Sequence, residues 1–161
     1  MITVFTDGSC YPNDGTGDGG WAFQCHYNGQ SRLKYGWSER ASNNTMEMTA
    51  ILRAFQYVPL SKTPITLYTD STYCKNVINS WAMIWEQDGW RTSTGSAVKN
   101  VDLIKELMAL IDLHKEHREV NVRWVKGHAG IAENESVDIS AGTARRLRET
   151  NWDTAKDNKH L

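Results

Sequence analysis

Two stretches of this chain close on the same step. ITVFTDGSC, at residues 2–10, and ITLYTDSTY, at 65–73, each run through β-branched and aromatic residues into Thr-Asp, at Thr6-Asp7 and Thr69-Asp70. Each Asp falls five residues after its Ile and so holds the same pleat phase. If the two runs are parallel neighbours, both carboxylates leave one face at one C-terminal edge, where ligand sites of open α/β sheets gather. Carboxylates held close repel, which raises a pKa or demands a cation. An Asp after a strand is by itself an ordinary turn or cap residue. The matched pair leaves the structural and the metal-binding readings both open.

Two further acids bear on the choice. Glu47 stands about 40° round a helical wheel from Ile51, at the margin of an apolar stripe. Asp138 lies early in the last helical segment, between Val137 and Ile139. Either could simply favour a helix N-terminus. Together with Asp7 and Asp70 they give four carboxylates that one topology could bring to one edge. An all-oxygen set suits Mg²⁺ or Mn²⁺ rather than zinc or copper. Such a set can hold two ions roughly 3.5–4 Å apart and clamp a phosphoryl displacement.

The elements that must position these residues follow from patterning. Residues 2–6 read as a strand. PNDGTGDGG, at 12–20, reads as a turn-rich loop. WAFQCHY (21–27) and SRLKYGW (31–37) flank Asn28-Gly29, the strongest short hairpin signal. Asn43 and Asn44 offer an N-cap to a helix whose buried stripe is Met48, Ile51, Leu52 and Phe55. Residues 65–69 form a fourth strand, and a helix starts near Thr72. Trp81, Trp85 and Trp90 follow. Val101, Ile104, Leu107, Met108 and Ile111 give another helical stripe. Val120, Val122 and Trp124 alternate as a fifth strand, and the last helix spans about 133–148. The order β-β-β-α-β-α-α-α-β-α predicts a mixed α/β (α+β) fold with helices packed on one sheet. Residues 1–150 form one domain, and NWDTAKDNKHL (151–161) reads as a polar, flexible tail.

Composition narrows the class. The chain has 161 residues, 40% hydrophobic and 23% charged, with a net charge of −1. That is not the basic balance of a typical nucleic-acid binder. Cys10, Cys25 and Cys74 are odd in number and show no metal spacing, which fits a reducing compartment. No basic, apolar leader and no run of roughly 20 apolar residues is present. The expectation is a soluble, cytoplasmic monomer with no membrane contact.

TDGSC, NNTMEM, TDSTY, the spaced tryptophans 81, 85 and 90, VKNVDL and WVKGHAGIAENESVD, taken in order, resemble a type 1 ribonuclease H over residues 2–148. The resemblance implies a five-stranded mixed sheet flanked by helices, with strand 65–69 beside strand 2–6. It implies an endoribonuclease that hydrolyses the RNA strand of RNA–DNA hybrids with two Mg²⁺ (Mn²⁺ a possible substitute), leaving 5′-phosphate and 3′-hydroxyl ends. By the same match Asp7 bridges both ions. Asp138 serves the ion that activates water, while Glu47 and Asp70 serve the ion beside the leaving oxygen. His128, in the GHAG loop, matches a mobile histidine that aids deprotonation or product departure. Asn13, Asn43 and Asn44, with the backbone of Cys10, match contacts to the RNA strand. Their amides suit a 2′-hydroxyl, which is donor and acceptor at once. Arg40, Ser42 and Asn100 match a pocket for a DNA phosphate, and Trp81 a wall against DNA sugars.

The chain departs from that pattern in places. Glu86, Gln87 and Asp88 stand where bacterial members carry a basic protrusion, which predicts weaker hybrid affinity and a shallower salt slope. Thr72 stands where many members have Gln. Met1 precedes the first strand directly, so no separate hybrid-binding domain and no long processive engagement are expected. Two alternatives stay open: a DNA-directed nuclease on the same architecture, and a catalytically weak nucleic-acid-binding module.

Overall fold

The computed structural model describes residues 1–127 and 131–160. Its sheet has five strands: β1 (Ile2–Tyr11), β2 (Gly17–Tyr27), β3 (Gln30–Ala41), β4 (Ile65–Thr69) and β5 (Val120–Trp124), in the order β3-β2-β1-β4-β5. The first three form an antiparallel meander, and β4 and β5 run parallel to β1. Asn28 and Gly29 both take positive φ (53° and 77°). A two-residue hairpin turn between right-twisted strands requires this.

The helices are α1 (Asn43–Tyr57), α2 (Thr72–Asn76), α3 (Ala82–Gln87), α4 (Val101–Lys115), α5 (Ala132–Leu147) and α6 (Thr154–Asp157). A π-helical turn, Val77–Trp81, joins α2 to α3. On one face of the sheet, Met48, Ile51, Leu52 and Phe55 of α1 meet Val4, Phe23 and Leu67 in the main core, with Ile104, Leu107 and Ile111 of α4 behind them. The opposite face is thinner: Val137 and Ala141 of α5 lie on Ala22, with Phe5, Leu33 and Tyr35 around them. Each large core side chain contributes on the order of 2 kcal/mol through burial.

Three local expectations change. β1 runs on through Asp7 to Tyr11, because β2 pairs with it along that whole length. β2 begins at Gly17, inside the expected loop. A Cβ at Gly20 would collide with the Ala141 carbonyl oxygen and stand 2.8 Å from the Arg145 nitrogen. The bare backbone there is what admits α5. Ser42, not Asn43 or Asn44, caps α1: its hydroxyl accepts from the Thr45 N–H at 3.1 Å, and Thr45 Oγ1 accepts from the Ser42 N–H at 2.9 Å. The two residues thus satisfy each other's backbone donors.

The final segment, expected as a polar, flexible tail, makes contacts along the sheet. Asn151 bonds with its backbone and side chain to Tyr35 and Leu33, and Thr150 Oγ1 accepts from the Trp37 N–H. These bonds cover the outer edge of β3. Trp152 packs edge-on against Trp21 and Phe23. Asp157 is buried and pairs with Lys34 at 3.2 Å. One tryptophan and a few well-placed amides outweigh the segment's polar composition.

Candidate active site

The two Thr-Asp steps lie side by side. β1 and β4 pair from Ile2 opposite Ile65 to Phe5 opposite Tyr68, where the ladder stops. The threonines close it: Thr6 Oγ1 donates to the Tyr68 carbonyl at 3.2 Å, and Thr69 Oγ1 accepts from the Ser71 N–H at 3.1 Å. Each hydroxyl satisfies a backbone group where the strands diverge. Asp7 stands inside β1, only 3% exposed, and its Oδ1 accepts from the Gly8 N–H at 2.9 Å. Asp70 follows β4, and its carbonyl accepts from Trp124 Nε1–H at 3.0 Å.

Glu47 reaches this edge from the early turns of α1. Carboxylate oxygens of Asp7, Glu47 and Asp70 lie within 4.8 Å of one another. Asp138, half-buried on α5, lies outside that three-way grouping but adjoins Asp7. Burial drives the Asp7 carboxyl up to about 8. The charge of Asp70 and the contact with Asp138 add to this, while hydrogen bonds from Glu47 and Gly8 oppose it. Glu47 is held well above the usual carboxylate range, by burial first and by Asp7 second. Asp70 is raised too, chiefly by burial. Glu47 Oε2 is buried without a hydrogen-bond partner among the described residues. Buried, mutually repelling oxygens with an unmet lone pair are a donor set for hard cations.

Glycines at two positions leave room for the cluster. A Cβ on Gly8 would collide with the Glu47 nitrogen and the Met46 carbonyl carbon and stand 2.8 Å from the Glu47 Cα. Only glycine lets α1 lie directly on β1 and bring Glu47 to Asp7. A Cβ on Gly127 would meet Asp70 Oδ2 at 3.0 Å.

The other expected site residues are distributed as follows. Asn13 Oδ1 accepts from the Asn43 N–H at 2.9 Å, joining the β1–β2 loop to the N-terminus of α1, where Asn44 is exposed. Cys10 is buried, its thiol donates to the Pro12 carbonyl, and burial raises its pKa. Ser42 is held in its capping box. Arg40, exposed with φ 49°, is the penultimate residue of β3, and Asn100, with φ 61°, precedes α4 with no side-chain capping bond. Trp81 is 37% exposed and lies edge-on to Tyr73 and tilted on Trp85. Among the described residues no hydrogen bond links Arg40, Asn100 or Trp81 to the pair formed by Asn13 and Asn43. His128 lies outside the described residues.

Comparison with known proteins matches residues 1–146 to the family model described as RNase H. A curated "Ribonuclease H" of Francisella tularensis subsp. novicida (strain U112) is 41% identical over 143 residues, covering 89% of this chain and 90% of the relative. One from Nitratidesulfovibrio vulgaris (strain DSM 19637 / Miyazaki F) is 41% identical over 150 residues, covering 91% and 90%. Among solved structures, a type 1 RNase H with the type 2 active-site motif superposes with a TM-score of 0.80 at 27% identity, over 93% of this chain and 74% of that one. The PFV RNase H domain superposes with a TM-score of 0.69 over 91% and 94%; at 17% identity it attests the fold alone.

Proposed function

The chain belongs to the ribonuclease H family, and from that premise we propose that it cleaves the RNA strand of RNA–DNA hybrids, leaving 5′-phosphate and 3′-hydroxyl ends. The observation that carries the reading is the cluster of a buried Asp7 with the half-buried Glu47 and Asp70, with Asp138 beside it and Glu47 Oε2 unpartnered among the described residues. These residues fit divalent cations, since every donor is a hard oxygen and the charge is otherwise uncompensated. When bound, a pair of such cations supplies a lowered water pKa and neutralises charge on the scissile phosphate. Mg²⁺ suits the donor set, with Mn²⁺ as a substitute.

The protein's own part is placement. Gly8 holds Glu47 against Asp7, so the acids need not reorganise when substrate arrives. Asn13, Asn43 and Asn44 meet at the N-terminus of α1, where backbone N–H groups favour phosphate and free amides can read a 2′-hydroxyl. Cys10 supports that corner from within the sheet. Ser42 has its hydroxyl occupied by Thr45, so in the proposed DNA-phosphate pocket Arg40 and Asn100 supply the side-chain contacts. Trp81 offers the DNA sugars an exposed edge, and His128 assists proton transfer or release. The working form is a cytoplasmic monomer. Its three cysteines are free, and no helix of the described residues is long and apolar enough to cross a membrane.

Glu86 and Asp88 close α3 with negative charge. Replacing both with Lys lowers KM several-fold, leaves kcat unchanged and steepens the salt slope by about one unit for each phosphate newly neutralised. The direct test is cleavage of a labelled RNA–DNA hybrid with Mg²⁺ and with EDTA, beside duplex DNA, duplex RNA and single-stranded RNA, with Asp7→Asn as control. Cutting confined to the hybrid's RNA strand, and lost both with EDTA and in the variant, is expected. Duplex DNA cut as fast as hybrid overturns the reading.

A further inference from the structure

At the opposite end of β1 from Asp7 lies a groove of about 460 Å³, framed by Ile2, Tyr57, Arg32, Ser61, Thr63 and Arg118. Arg118 is only 6% exposed, yet no carboxylate pairs with it among the described residues. Its Nη1 donates to the Pro59 carbonyl at 3.0 Å and to His114 Nδ1 at 3.1 Å, and Nη2 donates to Ser61 Oγ. Its Nε–H is buried and has no partner among the described residues. Burial depresses its pKa, as it does for any guanidinium without a counter-charge.

Capping the carbonyl end of α1 accounts for the bond to Pro59. It does not account for the orphaned Nε–H, nor for a second guanidinium on the same groove. That second group, Arg32, bonds among the described residues only to the Ser31 carbonyl. An unpaired buried cation is costly unless something anionic reaches it. The contrast with the larger groove between α3 and α4 is informative: there Glu86 and Asp112 stand with Lys105 and Lys115, so the charges balance internally. The groove at Arg118 has two cations, two aliphatic hydroxyls and no acid on its lining, on otherwise mostly apolar and aromatic walls.

We propose that this groove binds an oxyanion, a phosphate monoester or a carboxylate carried on an apolar group, with Arg118 at its base and Arg32 at its rim. The site is separate from the acid cluster and does not rest on the nuclease reading. The test is an NMR titration of the whole protein in EDTA with phenyl phosphate, benzoate and inorganic phosphate. Saturable shifts at the amides of Arg32, Ser61 and Thr63 and at the Arg118 Nε–H are expected, with a Kd of about 1 mM or below for the preferred aryl probe.

Saturation by phenyl phosphate alone assigns a phosphate monoester, and saturation by benzoate alone a carboxylate. Inorganic phosphate binds at least severalfold more weakly than the preferred probe. Arg118→Gln abolishes the shifts. Because that change could also unfold the end of α1, Arg32→Ala, at an exposed position, is the second arm and weakens binding about fivefold. Shifts that stay linear with concentration for both aryl probes overturn the site. So does unchanged affinity in Arg32→Ala. Equal affinity for inorganic phosphate overturns the apolar component.

Discussion

Where β1 and β4 diverge, Asp7, Glu47 and Asp70 are gathered with too few donors to meet their oxygens. Where the same two strands begin, His114 and Arg118 are more deeply buried than Glu47 and Asp70, but the protein meets most of their hydrogen-bonding needs. His114 Nε2–H donates to the Phe55 carbonyl at 2.8 Å, its Nδ1 accepts from Arg118, and His160 packs edge-on to its ring while donating to the Val58 carbonyl. Burial holds the His114 imidazole down at about 4, so it stays neutral and its hydrogen bonds persist. The acid end is raised by the same desolvation and has no comparable partners. Burial thus gives a neutral, hydrogen-bonded histidine at one end and carboxyls short of partners at the other. The difference is whether backbone carbonyls or other charges surround the buried group.

The hardest blow to this contrast comes at Asp7. Asp7→Asn should lower hybrid cleavage about 10³-fold or more, yet raise the melting temperature in EDTA by relieving repulsion. A variant that is inactive and also less stable breaks the idea that the acids are held against their own preference. Next is Gly8→Ala. Its methyl group would meet the backbone of Met46 and Glu47, which cannot swing aside. We expect a loss of roughly 2–4 kcal/mol in stability and a fall of about 100-fold in kcat, read by denaturant titration and single-turnover cleavage.

The finest test is pH. Asp7, raised from 3.8 to about 8, binds its proton more tightly when folded, so its contribution to stability falls as pH rises through that window. His114, lowered from 6.5 to about 4, binds its proton more weakly when folded, so its contribution rises over pH 4–6.5 and is complete above it. In EDTA the two oppose each other below pH 6.5, and above it the acid end alone remains, so stability declines by at most about 1.4 kcal/mol per pH unit per group. Mg²⁺ should flatten that decline. His114→Phe should lose about 2 kcal/mol at neutral pH and expose a fall that begins near pH 4. A profile unchanged by that substitution would show that the base end does not titrate as described.

Much of this was legible from periodicity. The stripe of α1, the bounds of β4 and the Asn28-Gly29 hairpin follow from local pattern and match the structure. The acids could be nominated because two strands repeat a phrase, and their convergence needed only the parallel pairing of β1 and β4. What escaped depends on partners distant in sequence. Gly19 and Gly20 look like loop until β1, β3 and α5 claim them. Asn43 looks like a cap until Ser42 and Thr45 form one and Asn13 takes the Asn43 amide. The final segment looks frayed until Trp152 finds Trp21 and Phe23.

The early end of the β1–β4 ladder also bears on how the sheet breathes. Up to Phe5, β1 is held by neighbours on both sides; from Asp7 onward β2 alone flanks it within the sheet. In hydrogen exchange, the boundary between amides released only by global unfolding and those released by local opening therefore runs through the residues that hold the acids. Cation binding should move that boundary along β1, slowing exchange at Gly8 and Ser9 while leaving Val4 unchanged.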